Sequence, residues 1–180
     1  MGVYYPETDS NVIHVADYRE VPGKKVWCWG QAPVGINWCK RLTDNDDRYI
    51  EVQAGAVETQ NEFNVLEPHN RLEVKEYWLH TTNIGPLCAA TKDVVSSYKL
   101  MQDSIHFSLS ATDSFTGAKF ELIANNEIVY EEEIDLSPFD SVRLEVPFKV
   151  DWMDADIRFS IRMGNEILIQ DTILENQEAI

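Results

Sequence analysis

The stretch Tyr49-Ile-Glu-Val-Gln-Ala-Gly-Ala-Val-Glu-Thr-Gln60 is the part of the sequence from which the class of fold is predicted. Its apolar residues alternate with polar, aromatic or glycine residues, which is the period of a β-strand with one buried face. The set expected to face a core is Ile50, Val52, Ala54 and Ala56. The other face presents Tyr49, Glu51 and Gln53 in file, and Gly55 indicates a point where something approaches the backbone closely.

The rest of the first half of the chain also alternates in short runs. We predict strands at residues 11–15, 24–30, 62–66 and 71–80, the last two joined by the tight turn Glu67-Pro-His-Asn70. Residues 1–11 are rich in Pro, Asp and Asn and are predicted to be a loop. Residues 32–42, which contain Pro33 and Gly35, are predicted to be a loop with at most one helical turn.

The second half alternates more regularly, beyond a boundary predicted at residues 81–86. About seven short strands are predicted from Val94 onward, at the spacing of an antiparallel sandwich. One of them alternates from Val142 to Val150, and its Pro147 indicates an edge strand or a bulge. Asn125-Asn126 is predicted to be a two-residue hairpin turn. Because no stretch shows a convincing period of 3.6, we predict an all-β chain in two sections, residues 1–84 and 85–180.

The composition excludes several classes of function. Fifteen basic and 31 acidic residues give a formal net charge of −16, which argues against nucleic acid and anionic membranes as partners, because both require Lys and Arg patches. Three cysteines without zinc spacing favour a reduced, cytoplasmic protein, and no apolar run approaches the roughly 20 residues of a membrane helix. No nucleotide, serine-hydrolase or zinc-protease motif occurs, and the acidic turn at residues 44–47 lacks the EF-hand pattern. We therefore predict no cofactor and no metal.

A set of short motifs within residues 3–80 resembles one family. The motifs are His14-Val-Ala-Asp17, Val21-Pro-Gly-Lys-Lys-Val-Trp27, Trp29-Gly30, Trp38, Leu42-Thr-Asp44, Tyr49-Ile-Glu-Val-Gln-Ala-Gly55, Thr59-Gln60, Leu66-Glu-Pro68 and Glu76-Tyr-Trp78. This section resembles the C-terminal part of an uncharacterised bacterial domain that often precedes tetratricopeptide repeats and is similar to the galactose-mutarotase-like β-supersandwich. The resemblance implies a partial supersandwich-type antiparallel sheet, here followed by an immunoglobulin-like antiparallel β-sandwich. It also implies that the chain is the later part of a longer protein with a tetratricopeptide repeat region.

The same resemblance implies a site that recognises carbohydrate. Mutarotases open and close a sugar ring with a Glu base and a His acid, so Glu51 and His14 are the candidate catalytic residues, with Asp17 expected to orient the His14 imidazole. The candidate ligand-binding residues are Gln53, Trp27, Trp29, Glu76 and Trp78. Tryptophan faces stack on pyranose rings. Each candidate has an ordinary alternative, namely a solvated strand face for the polar residues, a core for the tryptophans and a structural role for the histidine.

Three hypotheses for function stay open on the sequence. The first is a non-catalytic or auxiliary carbohydrate-binding fragment of a larger mutarotase-like protein. The second is a protein-interaction or scaffold module with no ligand. The third is part of an aldose 1-epimerase whose remaining catalytic residues lie upstream, so that this chain alone is not expected to be an enzyme. A partial supersandwich is also expected to expose strand edges and apolar faces, which predicts a homodimer or a repacked first section.

Overall fold

A computed structural model describes residues 1–148 and 156–173 of the 180-residue chain. The strands are β1 (Gly2–Tyr5), β2 (Ser10–Ala16), β3 (Lys25–Cys28), β4 (Ile50–Gln53), β5 (Glu76–Thr82), β6 (Ala89–Ala90), β7 (Val94–Leu100), β8 (Ser104–Ala111), β9 (Phe115–Ala124), β10 (Glu127–Leu136), β11 (Val142–Pro147), β12 (Ile157–Met163) and β13 (Glu166–Thr172). Within the described residues, one α-helix, α1, runs from Pro33 to Leu42, and a 3-10 turn covers Pro6–Thr8. Strands dominate and pair antiparallel. The all-β prediction is confirmed.

The chain forms two compact units that do not follow a single cut in the sequence. One unit consists of Met1 with His14–Tyr77, and the other of Gly2–Ile13 with Trp78–Ile180. The unit boundaries therefore fall inside β2 and β5, which lie in one sheet of order β1-β2-β5. A division of the chain at residues 84–85 stays a prediction.

The larger unit contains an immunoglobulin-like β-sandwich. Its two sheets have the strand orders β11-β8-β7-β6 and β10-β9-β12-β13. If β7 to β13 are taken in turn as strands A, B, C, C′, E, F and G, the neighbours are A-B-E in one sheet and C′-C-F-G in the other, as in immunoglobulin-like folds. The hairpin turn at Asn125-Asn126 is confirmed, with φ angles of 50° and 68° that suit a type I′ turn. β11 lies at a sheet edge, as Pro147 indicates; Val150 lies outside the described residues.

Alternating side chains fill the space between the two sheets. In β8, Ile105, Phe107 and Leu109 are buried while His106 is exposed, because successive side chains of a strand point to opposite faces. The ring of Phe107 lies 4.9 Å from that of Phe120 and 5.2 Å from that of Phe159, across the sandwich. These rings are the centre of a continuous core that reaches from Val94 to Ile173.

The segment after β5 is held by two side chains near the start of the chain. Asn11 is fully buried; its Nδ2 donates to Thr81 Oγ1 at 3.3 Å and to the Gly85 carbonyl at 2.9 Å, and its Oδ1 accepts from the Leu87 N–H at 3.2 Å. Asp9 Oδ1 accepts from the Gly85 N–H at 2.9 Å. These partners belong to the same compact unit, so the predicted boundary segment is a hydrogen-bonded part of the fold.

The smaller unit is built on a two-stranded ribbon of β3 and β4 and on helix α1. The ten-residue helix corrects the prediction of a loop over residues 32–42. Pro33 occupies its first turn, where a missing N–H costs nothing, and Lys40 and Arg41 occupy its last turn, where cations favour the helix dipole. β1 is likewise a strand where a loop was predicted.

The strand predicted within residues 49–60 is shorter and more exposed than expected. Only Ile50–Gln53 is strand, and none of the four apolar residues from Ile50 to Ala56 is buried. The close approach expected at Gly55 is made by Gly23, whose N–H donates to the Gly55 carbonyl at 2.9 Å. A Cβ on Gly23 would lie 2.0 Å from the Val57 carbonyl oxygen. The group that approaches the Gly55 backbone is therefore another segment of the same chain.

Residues 62–75, the arm, also differ in secondary structure from the prediction. The turn between its two limbs is present, since the Asn70 N–H donates to the Glu67 carbonyl at 3.0 Å. Neither residues 62–66 nor residues 71–75 are strand, however, and β5 begins only at Glu76. The turn chemistry was predicted correctly, and the pairing of the limbs was not.

Candidate functional site

The register of the ribbon brings four of the predicted residues to one face. Trp27 lies directly opposite Glu51, and Lys25 directly opposite Gln53. Directly opposed residues of an antiparallel pair share a face, with Cβ atoms about 5 Å apart. Trp29 continues this face beyond the end of β3, and its ring centroid is 6.2 Å from that of Trp27. The Glu51 carboxylate therefore lies beside an indole.

The Glu51 carboxylate is hydrogen-bonded along its own strand. Gln53 Nε2 donates to Glu51 Oε2 at 2.6 Å. Partial burial and the negative charge of Glu51 raise the pKa of Tyr49 above its usual value. The Gln53 amide thus occupies one of the about four lone-pair positions of the carboxylate. Glu51 keeps the capacity to accept further hydrogen bonds on this face.

The tryptophans form a stack that extends onto helix α1. The ring of Trp29 lies 5.1 Å from that of Trp38, with an interplanar angle of 28°, and the Arg41 guanidinium lies 5.6 Å above the Trp38 ring. Gly35 permits this arrangement, because a Cβ there would lie 2.1 Å from the Trp29 carbonyl oxygen. Trp29 and Trp38 use a ring face on each other. Trp27, half-buried and tilted by 43° to Trp29, is the better placed of the first pair to stack on a ligand.

Trp29 carries a buried polar atom. Within residues 1–148 and 156–173, no hydrogen-bond acceptor meets its Nε1. A buried N–H of this kind is costly to leave unpaired. The atom lies inside the stack, so we assign it no contact with a ligand.

His14 has a different partner from the one predicted. The imidazole is fully buried, and its Nε2 lies 2.9 Å from Glu76 Oε2. Asp17 instead accepts from Arg19, at 3.0 Å from Nε, and these hydrogen bonds lower the pKa of Asp17 to about 2. The prediction that Asp17 orients the His14 imidazole was wrong. A buried histidine paired with a half-exposed carboxylate is a usual structural arrangement, and it also fixes the ring for proton transfer.

The predicted residues therefore fall into two groups. Trp27, Trp29, Glu51 and Gln53 lie on the two-stranded ribbon, whereas His14, Glu76 and Trp78 lie on β2 and β5 of the three-stranded sheet. Trp78 is 46% exposed. The two candidate catalytic residues, Glu51 and His14, thus belong to different sheets.

Three residues at the ribbon face were not among the predicted ligand-binding residues, although Tyr49 was expected on this face. Tyr49 interacts with Glu51, Trp38 stacks on Trp29, and Arg41 lies above the Trp38 ring. The helix that carries two of them had a signal in the sequence: Gly35, Cys39 and Leu42 recur at helical spacing after a proline. Gly35 and Cys39 are the buried residues of α1.

Few other features of the described residues suggest a site. A cavity of about 310 Å³ lies between the limbs of the arm, lined by Asn64, Leu66, Asn70, Arg71 and Leu72. Residues 1–148 and 156–173 contain no group of three or more His, Cys, Asp or Glu side chains placed to hold a metal ion. The same residues contain no helix of the length and apolarity needed to span a membrane.

Comparison with known proteins divides the chain in two. Residues 1–83 match the family model for a domain of unknown function, DUF5107, and residues 89–170 match the model for the second domain of YphG-like proteins. No solved structure matches the chain. The ribbon face lies in the part similar to DUF5107, and the sandwich lies in the part similar to the YphG-like second domain.

Proposed function

We propose that the ribbon face binds carbohydrate without catalysing a reaction, as an auxiliary part of a larger mutarotase-like protein. The observation that carries the proposal is the position of Trp27 directly opposite Glu51, with Gln53 bonded to the same carboxylate. A pyranose has an apolar face and a rim of hydroxyl groups. An indole beside fixed hydrogen-bonding groups suits both features.

Each side chain has a role in this proposal. Trp27 provides the stacking surface. Glu51 accepts hydrogen bonds from ligand hydroxyls, and Gln53 retains one N–H and its carbonyl oxygen for the same purpose. Lys25, opposite Gln53, adds a donor at the edge of the face.

The epimerase alternative has less support. Mutarotation needs a base for the anomeric hydroxyl and an acid for the ring oxygen of one sugar, and each must lie within hydrogen-bond reach of the proton it transfers. The Glu51 and His14 side chains are on different sheets, and His14 is buried against Glu76. A protein-interaction module without a ligand is supported by a separate feature, the exposed apolar side chains of residues 26–74.

The test is a titration of the full chain with a panel of neutral mono- and oligosaccharides, followed by calorimetry and by tryptophan fluorescence. We expect at least one sugar to bind, with Trp27→Ala weakening binding by at least tenfold, since burying a large apolar side chain contributes roughly 1.5–3 kcal/mol and about 1.4 kcal/mol is a factor of ten. Glu51→Gln should weaken binding less, because the amide still accepts one hydrogen bond.

Trp78→Ala is the matched control, because Trp78 is a partly exposed tryptophan on another sheet. Unchanged binding in this variant places the ligand on the ribbon face. Equal loss in both tryptophan variants would contradict the ribbon assignment, and no response to any sugar would contradict carbohydrate binding.

A further inference from the structure

The arm presents an unusually large apolar surface for a segment of this length. Phe63 is 92% exposed and Val65 is 74% exposed; Leu66, Leu72 and Val74 are between 41% and 60% exposed. Single exposed apolar residues are common on proteins, but five within one short segment expose an amount of apolar surface that marks an interaction site. The two limbs also lack strand pairing, so their backbone groups are free of any sheet.

A second apolar surface lies on the ribbon, on the face opposite Trp27. In register, Val26 lies opposite Val52, and Cys28 opposite Ile50. Val26 is 49% exposed, and Cys28 and Ile50 are also exposed. A two-stranded ribbon is marginally stable unless one face packs against another layer. The same compact unit therefore holds two apolar surfaces that both lack a covering layer among its own residues.

We propose that two copies of this chain associate by laying the arm of each on the apolar ribbon face of the other. The contact is a self-complementary one, in which an extended limb covers a sheet face. It uses the side of the ribbon that the carbohydrate proposal leaves free, so the two proposals stand or fall separately.

The area involved is that of a small interface whose dimer forms in a concentration-dependent way. If a large apolar side chain carries roughly 150–200 Å² of surface, the five arm residues expose on the order of 550 Å² in each copy. The ribbon face under each arm exposes less apolar surface, on the order of 250 Å², so the two contacts together bury on the order of 1,000 Å² in total, near the lower limit for a specific protein interface.

The charges of the arm permit this contact despite the net charge of −16. Arg71 is paired with Glu73, and the limbs also carry Glu62 and Lys75. Acidic and basic residues thus lie side by side, so two copies meeting here do not oppose surfaces of a single sign.

The first experiment measures the mass of the full chain by light scattering over a range of concentrations. We expect a dimer, and the double variant Phe63→Asp, Val65→Asp should raise its dissociation constant by at least tenfold. The control is Phe139→Asp, because Phe139 is fully exposed in a loop of the sandwich and should leave the dimer unchanged. A monomer at every concentration, or equal loss in the control, overturns the proposal and leaves the arm to a different molecule.

The second experiment tests which surfaces meet. Cys28 is an exposed thiol on the ribbon face, so Val65→Cys should form a covalent dimer under mild oxidation. Adding Cys28→Ser should abolish that dimer. A disulfide within one chain, or a covalent dimer that persists without Cys28, would overturn the arrangement even if the protein is dimeric.

Discussion

The sandwich and the section of residues 14–77 both show alternating apolar and polar residues. They differ in whether a second layer of structure covers the apolar strand faces. In the sandwich, two four-stranded sheets pack face to face and bury a continuous core. Of residues 14–77, all of which the structure describes, the buried apolar side chains are Val21 and Cys39. Alternation specifies which residues share a strand face, but burial requires a second layer of secondary structure to cover that face. The comparison shows that the two properties are separable.

The sharpest test makes the same truncation in both regions. Phe107→Ala should lower the free energy of unfolding by about 3–5 kcal/mol, because it leaves a cavity among three other rings. Phe63→Ala should change it by no more than about 0.5 kcal/mol at concentrations where the chain is monomeric. Urea unfolding measures both, and similar losses in the two variants would break the comparison.

Asn11→Ala should cost about 2–3 kcal/mol, since it removes three hydrogen bonds and leaves the Gly85 carbonyl and the Leu87 N–H without their partner. Thermal unfolding of the full chain measures this loss. Asn64→Ala, in the exposed arm, is the matched control and should have little effect. If the two asparagines prove equally dispensable, the segment after β5 is not held by Asn11.

Gly35→Ala should destabilise the smaller unit by about 1–3 kcal/mol, because the new methyl group forces α1 away from the Trp29 backbone. Near-ultraviolet circular dichroism should report the loss of the Trp29–Trp38 stack. Gly55→Ala is the control, since a Cβ there has open space around it. A stack that survives Gly35→Ala would show that the helix tolerates the added group.

The smallest expected effect is a pH dependence of the free energy of unfolding, which originates at Tyr130 in the sandwich. The hydrogen bond from Tyr130 to Glu132, with partial burial, raises the pKa of Tyr130 from 10 to about 12. A raised pKa in the folded state stabilises the protein fully below pH 10, and this contribution is lost as the pH rises through 12. Tyr130→Phe should therefore lose a small, constant amount of stability below pH 10, and the difference should shrink above it. Urea unfolding at several pH values measures this, and a difference that grows toward pH 12 would contradict the assigned hydrogen bond.

The sandwich was predictable because each of its signals is local. The alternation of Ile105, Phe107 and Leu109, the Asn125-Asn126 turn and the edge position of Pro147 all act over a few residues. The same kind of signal failed at Ile50, whose alternation is correct and whose face is exposed. Strand conformation follows from neighbouring residues, whereas a covering layer depends on distant ones.

The candidate site was likewise predictable where it depends on neighbouring residues and unpredictable where it depends on distant ones. Glu51 and Gln53 were expected on one face, and that expectation follows from period two alone. Trp27 opposite Glu51 depends on the register between two strands that are 21 residues apart in the chain, which no local pattern specifies. The Glu76 partner of His14 was beyond prediction for the same reason, since 62 residues separate the two.

The hydrogen bonds of Asp9 and Asn11 bear on how this chain can be divided. The two family matches end at residue 83 and begin at residue 89, which invites a cut between them. A cut between residues 83 and 85 would leave both side chains on one fragment and two of their partners, Gly85 and Leu87, on the other. In this chain, the segments that match family models are therefore not the same as the segments that could be exchanged between proteins. Any transfer of the sandwich to another protein should carry the first thirteen residues with it.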